Sequence, residues 1–203
     1  MLKKIKEAIE KIDLLSAKKP IKIISHFDTD GITSAAIFSK TLQRWKKKFS
    51  IEIVKSLDEK YIAGLSDKNI LIFLDLASSS LNHLKEKKTD IVIFDHHEIF
   101  QEIPKNISMI NPILEKKEQI SSAGICYLFA KSISTENTDL ANLAVIGMVG
   151  DIHDQNIGRT YDEIIKDSET IVKRGLLIYP STRPINKALE YSSSPYIPNV
   201  TGS

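Results

Sequence analysis

Three potential metal ligands stand at alternate positions in Ser25-His26-Phe27-Asp28-Thr29-Asp30-Gly31, directly after the apolar run Ile21-Lys22-Ile23-Ile24. In an extended chain, residues i, i+2 and i+4 project to one side, so His26, Asp28 and Asp30 can converge on a common point. Imidazole nitrogens and carboxylate oxygens without thiolates suit manganese, magnesium, iron or zinc rather than a structural zinc site. Taken alone, the stretch has a second reading: a polar strand-to-helix turn, with Asp30 capping the helix and Gly31 making the bend.

Other apolar runs also stop at ionisable residues. Asn69-Ile70-Leu71-Ile72-Phe73-Leu74 ends in Asp75, and Asp90-Ile91-Val92-Ile93-Phe94 leads into Asp95, His96 and His97. Asp151, with His153 and Asp154 behind it, follows the small-residue stretch Leu143 to Gly150. Asp28, Asp30, Asp75 and Asp151 in one half-buried cleft would repel one another. Two divalent cations would neutralise them, with imidazoles completing the coordination. Metal pairs about 3.5–4 Å apart are an established device for hydrolysing phosphoryl esters, because they activate a water and stabilise charge on the phosphoryl oxygens. His153 and Asp154 fit a loop or capping role.

Positioning these groups falls to alternating elements. Leu2, Ile5, Ile9 and Ile12 recur at helical spacing, so the chain opens with an amphipathic helix that Lys18-Lys19-Pro20 breaks. Strands are expected near 21–26, 51–54, 69–75 and 90–95, with a short one at 108–110. Helices are expected near 32–47, 80–88, 122–134, 138–149, 160–177 and 184–191. Ser78, Ser79 or Ser80 could cap the helix near 80. Alternating strands and helices predict an α/β fold, a mostly parallel sheet flanked by helices on both faces, with ligands at its carboxyl edge.

At 203 residues, the chain is long enough for one large domain with a substantial core. Its 42% hydrophobic and 27% charged residues are ordinary for a globular protein, and a net charge of +2 gives no electrostatic case for nucleic acid. A single cysteine, Cys126, excludes an internal disulfide or thiolate metal site and reads as a small core residue. No stretch approaches the roughly 20 apolar residues of a membrane span, so a cytoplasmic location without membrane partners is expected. Arg44-Trp45-Lys46-Lys47-Lys48 could contact phosphates, but it also fits a solvated helix end whose lysines complement the dipole.

His26-x-Asp28-x-Asp30-Gly31, Asp75, Asp95-His96-His97 and Gly150-Asp151, in that order, resemble the four signature motifs of the DHH phosphoesterases. The His-x-Asp-x-Asp-Gly spacing looks like the RecJ and nanoRNase branches. Ser121-Ser122-Ala123-Gly124 and the segments from Thr182-Arg183-Pro184 to Pro195-Tyr196-Ile197-Pro198 look most like archaeal RecJ-type proteins.

The resemblance implies that His26, Asp28 and Asp75 hold one metal, and that Asp30, Asp75, His96 and Asp151 hold the other, manganese or magnesium. Asp75 would be the bridge, and His97 would face the scissile phosphate. Asp95 would orient an imidazole by hydrogen bonding. Asn111, Ser122 and Gly124 are expected on the substrate side. The implied activity is a metal-dependent exonuclease acting on single-stranded DNA or RNA in repair and replication. Its alternatives are a phosphodiesterase for oligoribonucleotides or cyclic dinucleotides, and a non-catalytic replication-complex scaffold. No Gly-Gly-Gly-His run of the kind carried by a DHH-associated C-terminal domain is present. The expected organisation is therefore a DHH domain over 1–180, with a C-terminal helix and the start of a linker over 181–203. A separate chain carrying the missing domain, and GINS-type replication proteins, are the implied partners.

Overall fold

A computed structural model describes residues 1–115, 120–151, 158–171, 183–192 and 196–202. The backbone divides into two compact units, Met1–Thr170 and Ile171–Ser203. In the first unit the order is α1 (Leu2–Ser16), β1 (Ile21–His26), α2 (Thr29–Arg44), β2 (Phe49–Val54), α3 (Glu59–Gly64), β3 (Ile70–Leu74), α4 (Leu81–Leu84), β4 (Ile91–Phe94), β5 (Ile107–Ile110), α5 (Ser122–Ile133), α6 (Ala141–Gly150) and α7 (Arg159–Ser168). The described part of the second unit contains α8 (Ile185–Glu190). His153, Asp154, Thr182 and Pro195 lie outside the described residues, as does the part of the expected 160–177 helix from 172 onward.

All strand pairings in the five-stranded sheet are parallel, in the order β2-β1-β3-β4-β5. Every residue of β3 and β4 is buried, as a strand covered on both faces requires. Their side chains divide with period two. Ile70, Ile72, Leu74, Val92 and Phe94 join a core with α1, α2 and α5. Leu71, Phe73, Ile91 and Ile93 join a second core with Ile62 of α3 and Leu81 and Leu84 of α4. Phe38 of α2 anchors the larger core, stacking on Phe129 at 4.8 Å and meeting Phe94 edge-on at 5.1 Å.

Several local expectations shift. The six-residue α3 carries too little periodicity to be read from sequence, and the expected 80–88 helix shortens to Leu81–Leu84. The helix expected from 138 begins as a 3-10 segment, Thr135–Leu140, before α6. α2 starts at Thr29, not 32, because Asp28 caps it by accepting the Gly31 amide at 2.9 Å. Gly31 lies against β1, where an added Cβ would sit 2.3 Å from the His26 carbonyl oxygen. Among the described residues no helix is long and apolar enough to cross a membrane.

Strand order reverses between β1 and β3, so connections depart on opposite sides and leave a crevice at their carboxyl ends. Ser25 fastens this crevice from below, its hydroxyl donating to the carbonyls of Gly31 (2.7 Å) and Leu74 (3.2 Å). Removing the aromatic anchor tests the packing above: Phe38→Ala is expected to cost about 3–5 kcal/mol in denaturant unfolding. A loss below about 1 kcal/mol would contradict the role assigned to the Phe38–Phe94–Phe129 cluster.

Candidate metal centre

His26 ends β1, Asp75 follows β3, His96 and His97 follow β4, and Asp151 caps the end of α6. Their donor atoms form overlapping groups in which every atom lies within 4.8 Å of the others: His26, Asp28 and Asp75; Asp30, Asp75, His96 and Asp151; and Asp75, His96 and His97. Asp75 belongs to all of them and is buried. His26 Nδ1 lies 2.8 Å from Asp28 Oδ2 and 3.5 Å from Asp75 Oδ2. His96 Nε2 lies 2.9 Å from Asp151 Oδ2, 3.3 Å from Asp75 Oδ1 and 3.8 Å from Asp30 Oδ2.

The convergence has a different local cause from the alternation of an extended strand. His26 closes β1, Asp28 is the cap, and Asp30 is already in the first turn of α2. The turn sends His26 and Asp28 toward one group and Asp30 toward the other. Asp30 is completely buried, so Asp28 rather than Asp30 makes the helix cap. At the amino terminus of α5, the Ser122 and Ala123 amides donate to the two Asp30 oxygens at 2.7 and 2.9 Å.

Ser122 and Gly124, expected on the substrate side, lie at this helix terminus. Both are buried; the Ser122 amide serves Asp30, and the Gly124 amide donates to Ser121 Oγ at 3.3 Å. Asn111 is buried as well. Its amide donates to the His97 carbonyl at 2.9 Å, and its oxygen accepts from Ile113 N at 3.0 Å. All three are thus engaged in hydrogen bonds within the fold.

Asp95 is fully buried and accepts from Ser78 N, Ser78 Oγ, His96 N and His97 N, with His97 Nδ1 at 2.7 Å. Ser78 is thus spent on Asp95, and Ser80 occupies the cap position of α4. Burial opposes the Asp95 charge, but the His97 and Ser78 hydrogen bonds hold its pKa below the usual value. The Asp95 hydrogen bond in turn raises His97. His97 stays partly open to solvent and borders a 530 Å³ cleft lined also by His26, Lys55, Asp75, Ser78, Ser79 and Phe100.

Electrostatic crowding concentrates at the shared groups. Burial pushes Asp75 up to about 8; His96 opposes the shift, while Asp30 and Asp28 add to it. Burial and the neighbouring Asp151 raise Asp30 to about 6, against the α5 amides. Burial disfavours a charged His96, but Asp151, Asp75 and Asp30 together push it up to about 10. Among the described residues, neither Asp75 oxygen has a hydrogen-bond donor of good geometry, and the same holds for Asp151 Oδ2. Buried carboxylate oxygens without donors, facing imidazole nitrogens, fit divalent cations in chemistry and number of ligands.

Close helix packing makes the crowding possible. At Gly147 an added Cβ would stand 2.6 Å from Asp30 Oδ1 and 2.5 Å from Ala123 Cβ. At Gly150 it would stand 2.5 Å from Thr29 Cβ. α6 therefore approaches α2 closely enough to deliver Asp151. Asp75 adopts φ 61° and Ala77 φ 94° immediately after β3, a left-handed turn that re-aims the chain.

Residues 20–148 match the model of the DHH family, N-terminal domain. The chain belongs to the DHH family. It is 28% identical to an uncharacterized protein of Methanocaldococcus jannaschii, over 98% of this chain and 50% of that one. It is 26% identical to the single-stranded-DNA-specific exonuclease RecJ of Bacillus subtilis, over 76% of this chain and 22% of that one. A crystal structure of exonuclease RecJ bound to manganese shares the fold, with a TM-score of 0.71 at 18% identity, covering 81% of this chain and 46% of that one. The chain thus spans half or less of the curated relatives it matches.

Two outcomes follow from the geometry. Gly147→Ala should displace Asp30 and weaken manganese binding at least tenfold by isothermal titration; unchanged affinity would refute the close-approach argument. The second concerns pH. Raised carboxyls bind extra protons in the fold between about pH 4 and their folded pKa values near 6 and 8, and a raised His96 does so between about 6.5 and 10. Both make the metal-free fold lose stability as pH rises from 5 to 9. Its melting temperature should fall across that window, and saturating manganese should flatten or reverse the trend. A metal-free melting temperature that climbs steadily to pH 9 would contradict the assignment.

Proposed function

We propose that the chain is a metal-dependent phosphodiesterase of RecJ type that hydrolyses single-stranded nucleic acid. The observation carrying this reading is the pair of histidine–carboxylate groups joined through Asp75. One cation would be held by His26, Asp28 and Asp75, and the other by Asp30, Asp75, His96 and Asp151. Two divalent ions held there, manganese or magnesium, would lower the pKa of a bound water toward neutral pH and would neutralise charge on phosphoryl oxygens.

The chain's own residues do the rest. Asp75 aligns both groups from one buried position. Asp95 holds His97 through Nδ1, and His97 lines the cleft. His97, whose pKa the Asp95 hydrogen bond raises, would donate a proton to the departing oxygen or a hydrogen bond to the phosphoryl group. The manganese-bound RecJ structure and the single-stranded-DNA-specific relative support this substrate class. A role in DNA repair or replication, and work with a further substrate-gripping domain, belong to the same proposal.

The test is hydrolysis with manganese and with EDTA, using end-labelled single-stranded DNA and RNA, short oligoribonucleotides and cyclic di-AMP. Asp75→Ala is expected to fall to the EDTA background. His97→Gln is expected to keep its manganese content and lose about 10²–10⁴-fold in rate. Cleavage confined to cyclic di-AMP or the shortest oligoribonucleotides would replace the single-strand reading. Hydrolysis of no substrate, with a companion domain supplied, would leave a scaffold and overturn the proposal.

A further inference from the structure

At the opposite end of the sheet from the metal centre, the loops entering β1 and β2 build a basic groove of 540 Å³. Among the described residues its lining contains Lys18, Lys19, Lys46, Lys47 and Lys48 and no carboxylate. Lys47 is half-buried, paired with Asp13 and placed over the Trp45 ring at 4.8 Å. Lys19, also half-buried, reaches the Asp67 carbonyl at 3.4 Å and Thr89 Oγ1 at 3.5 Å. Lys18, Lys46 and Lys48 are exposed and have no carboxylate within ion-pair distance among the described residues.

Helix ends alone do not account for this arrangement. The carbonyl ends of α1 and α2 favour nearby cations, but that effect fades beyond the last turn, and α1 has no basic residue in its last turn. α2 closes with the Lys46 amide donating to the Gln43 carbonyl and the Lys47 amide to the Leu42 carbonyl. This is the bonding of a Schellman motif, which places Lys46 in the left-handed position at φ 57°. Glycine or asparagine is the residue favoured there, so a lysine at this position gives up stability for a charge in the groove.

We infer that this groove holds the phosphate backbone of a single-stranded nucleic acid, several nucleotides from the bond being cut; the inference rests on the nucleic-acid reading of the metal centre. The six-residue β1 separates groove and site by roughly 17 Å. Exposed lysines provide unshielded charges for phosphates. Among the described residues, the lining adds to the lysines Ser16, Ala17 and Pro20, which give an acidic peptide little to recognise beyond charge. Short substrates would end before reaching the groove, whereas longer strands would engage it.

The experiment compares the wild-type chain with the Lys18→Gln/Lys46→Gln/Lys48→Gln variant and with Lys46→Gly. Binding of a fluorescein-labelled twenty-nucleotide oligothymidylate is followed by anisotropy in EDTA between 50 and 200 mM salt. Loss of three phosphate contacts should lower the magnitude of the log–log salt slope by about 2. Affinity at 50 mM salt should fall at least tenfold. Manganese-dependent hydrolysis of a dinucleotide should stay unchanged, while KM for the twenty-mer rises. Lys46→Gly should raise the melting temperature by about 2–4 °C and yet weaken binding, a combination that a purely structural lysine does not produce.

An unchanged slope, or equal losses on dinucleotide and twenty-mer, would overturn the inference. Binding of poly-L-glutamate as tight as that of the oligonucleotide would also overturn it, in favour of an acidic protein partner. A slope that falls as expected in a chain hydrolysing nothing would uphold the groove and defeat the hydrolase reading. Hydrolysis without lysine-dependent binding would do the reverse.

Discussion

Placing several carboxylates in one desolvated crevice is the constraint on which the rest of the structure depends. Asp30 and Asp75 are buried, and burial pushes both carboxyls upward. A protein that keeps such groups must neutralise them with protons, imidazolium or metal ions. The arrangement around Asp75 has the features of the last solution. Among the described residues both of its oxygens lack good donors, and histidines approach from either side. Proton and metal compete for the same oxygens, which makes the cluster responsive to pH and metal together.

The scaffold is arranged to hold that charge. The parallel sheet brings three ligand-bearing segments to one edge, after β1, β3 and β4, α6 adds Asp151, and the strand-order reversal opens the crevice between β1 and β3. α5 aims two backbone amides at Asp30, and α6 reaches it through Gly147, where a methyl group would collide with the carboxylate. The left-handed turn at Asp75 and Ala77 directs the central carboxylate into the crevice. Asp95 stays inside, its charge satisfied by backbone and side-chain donors, and holds His97 through Nδ1. The candidate ligand carboxylates gather at the carboxyl edge, while five lysines line the groove at the amino edge.

Much of this was legible in the residues, because buried parallel strands announce themselves as apolar runs and the ionisable residues follow those runs directly. Ile70–Leu74 before Asp75 and Ile91–Phe94 before Asp95-His96-His97 show it. The ordered motifs also anticipated which side chains meet. Less visible were features that depend on tertiary contact. The amides of Ser122 and Ala123 could serve a substrate or a side chain, and only the position of Asp30 decides between them. Asn111 likewise looks like a polar strand-end residue until its bond to the His97 carbonyl is seen. α3 is too short for periodicity to register, and Gly147 gives no local signal because its role is an absence of volume.

The central claim is that Asp75 joins two cation sites into one centre. Electron paramagnetic resonance of the manganese-loaded chain, with metal content measured on the same sample, tests it most directly. The account predicts two ions per chain with the spectrum of a coupled pair, and loss of that coupling in Asp75→Ala. One isolated ion per chain, or a coupled pair that survives Asp75→Ala, would contradict it.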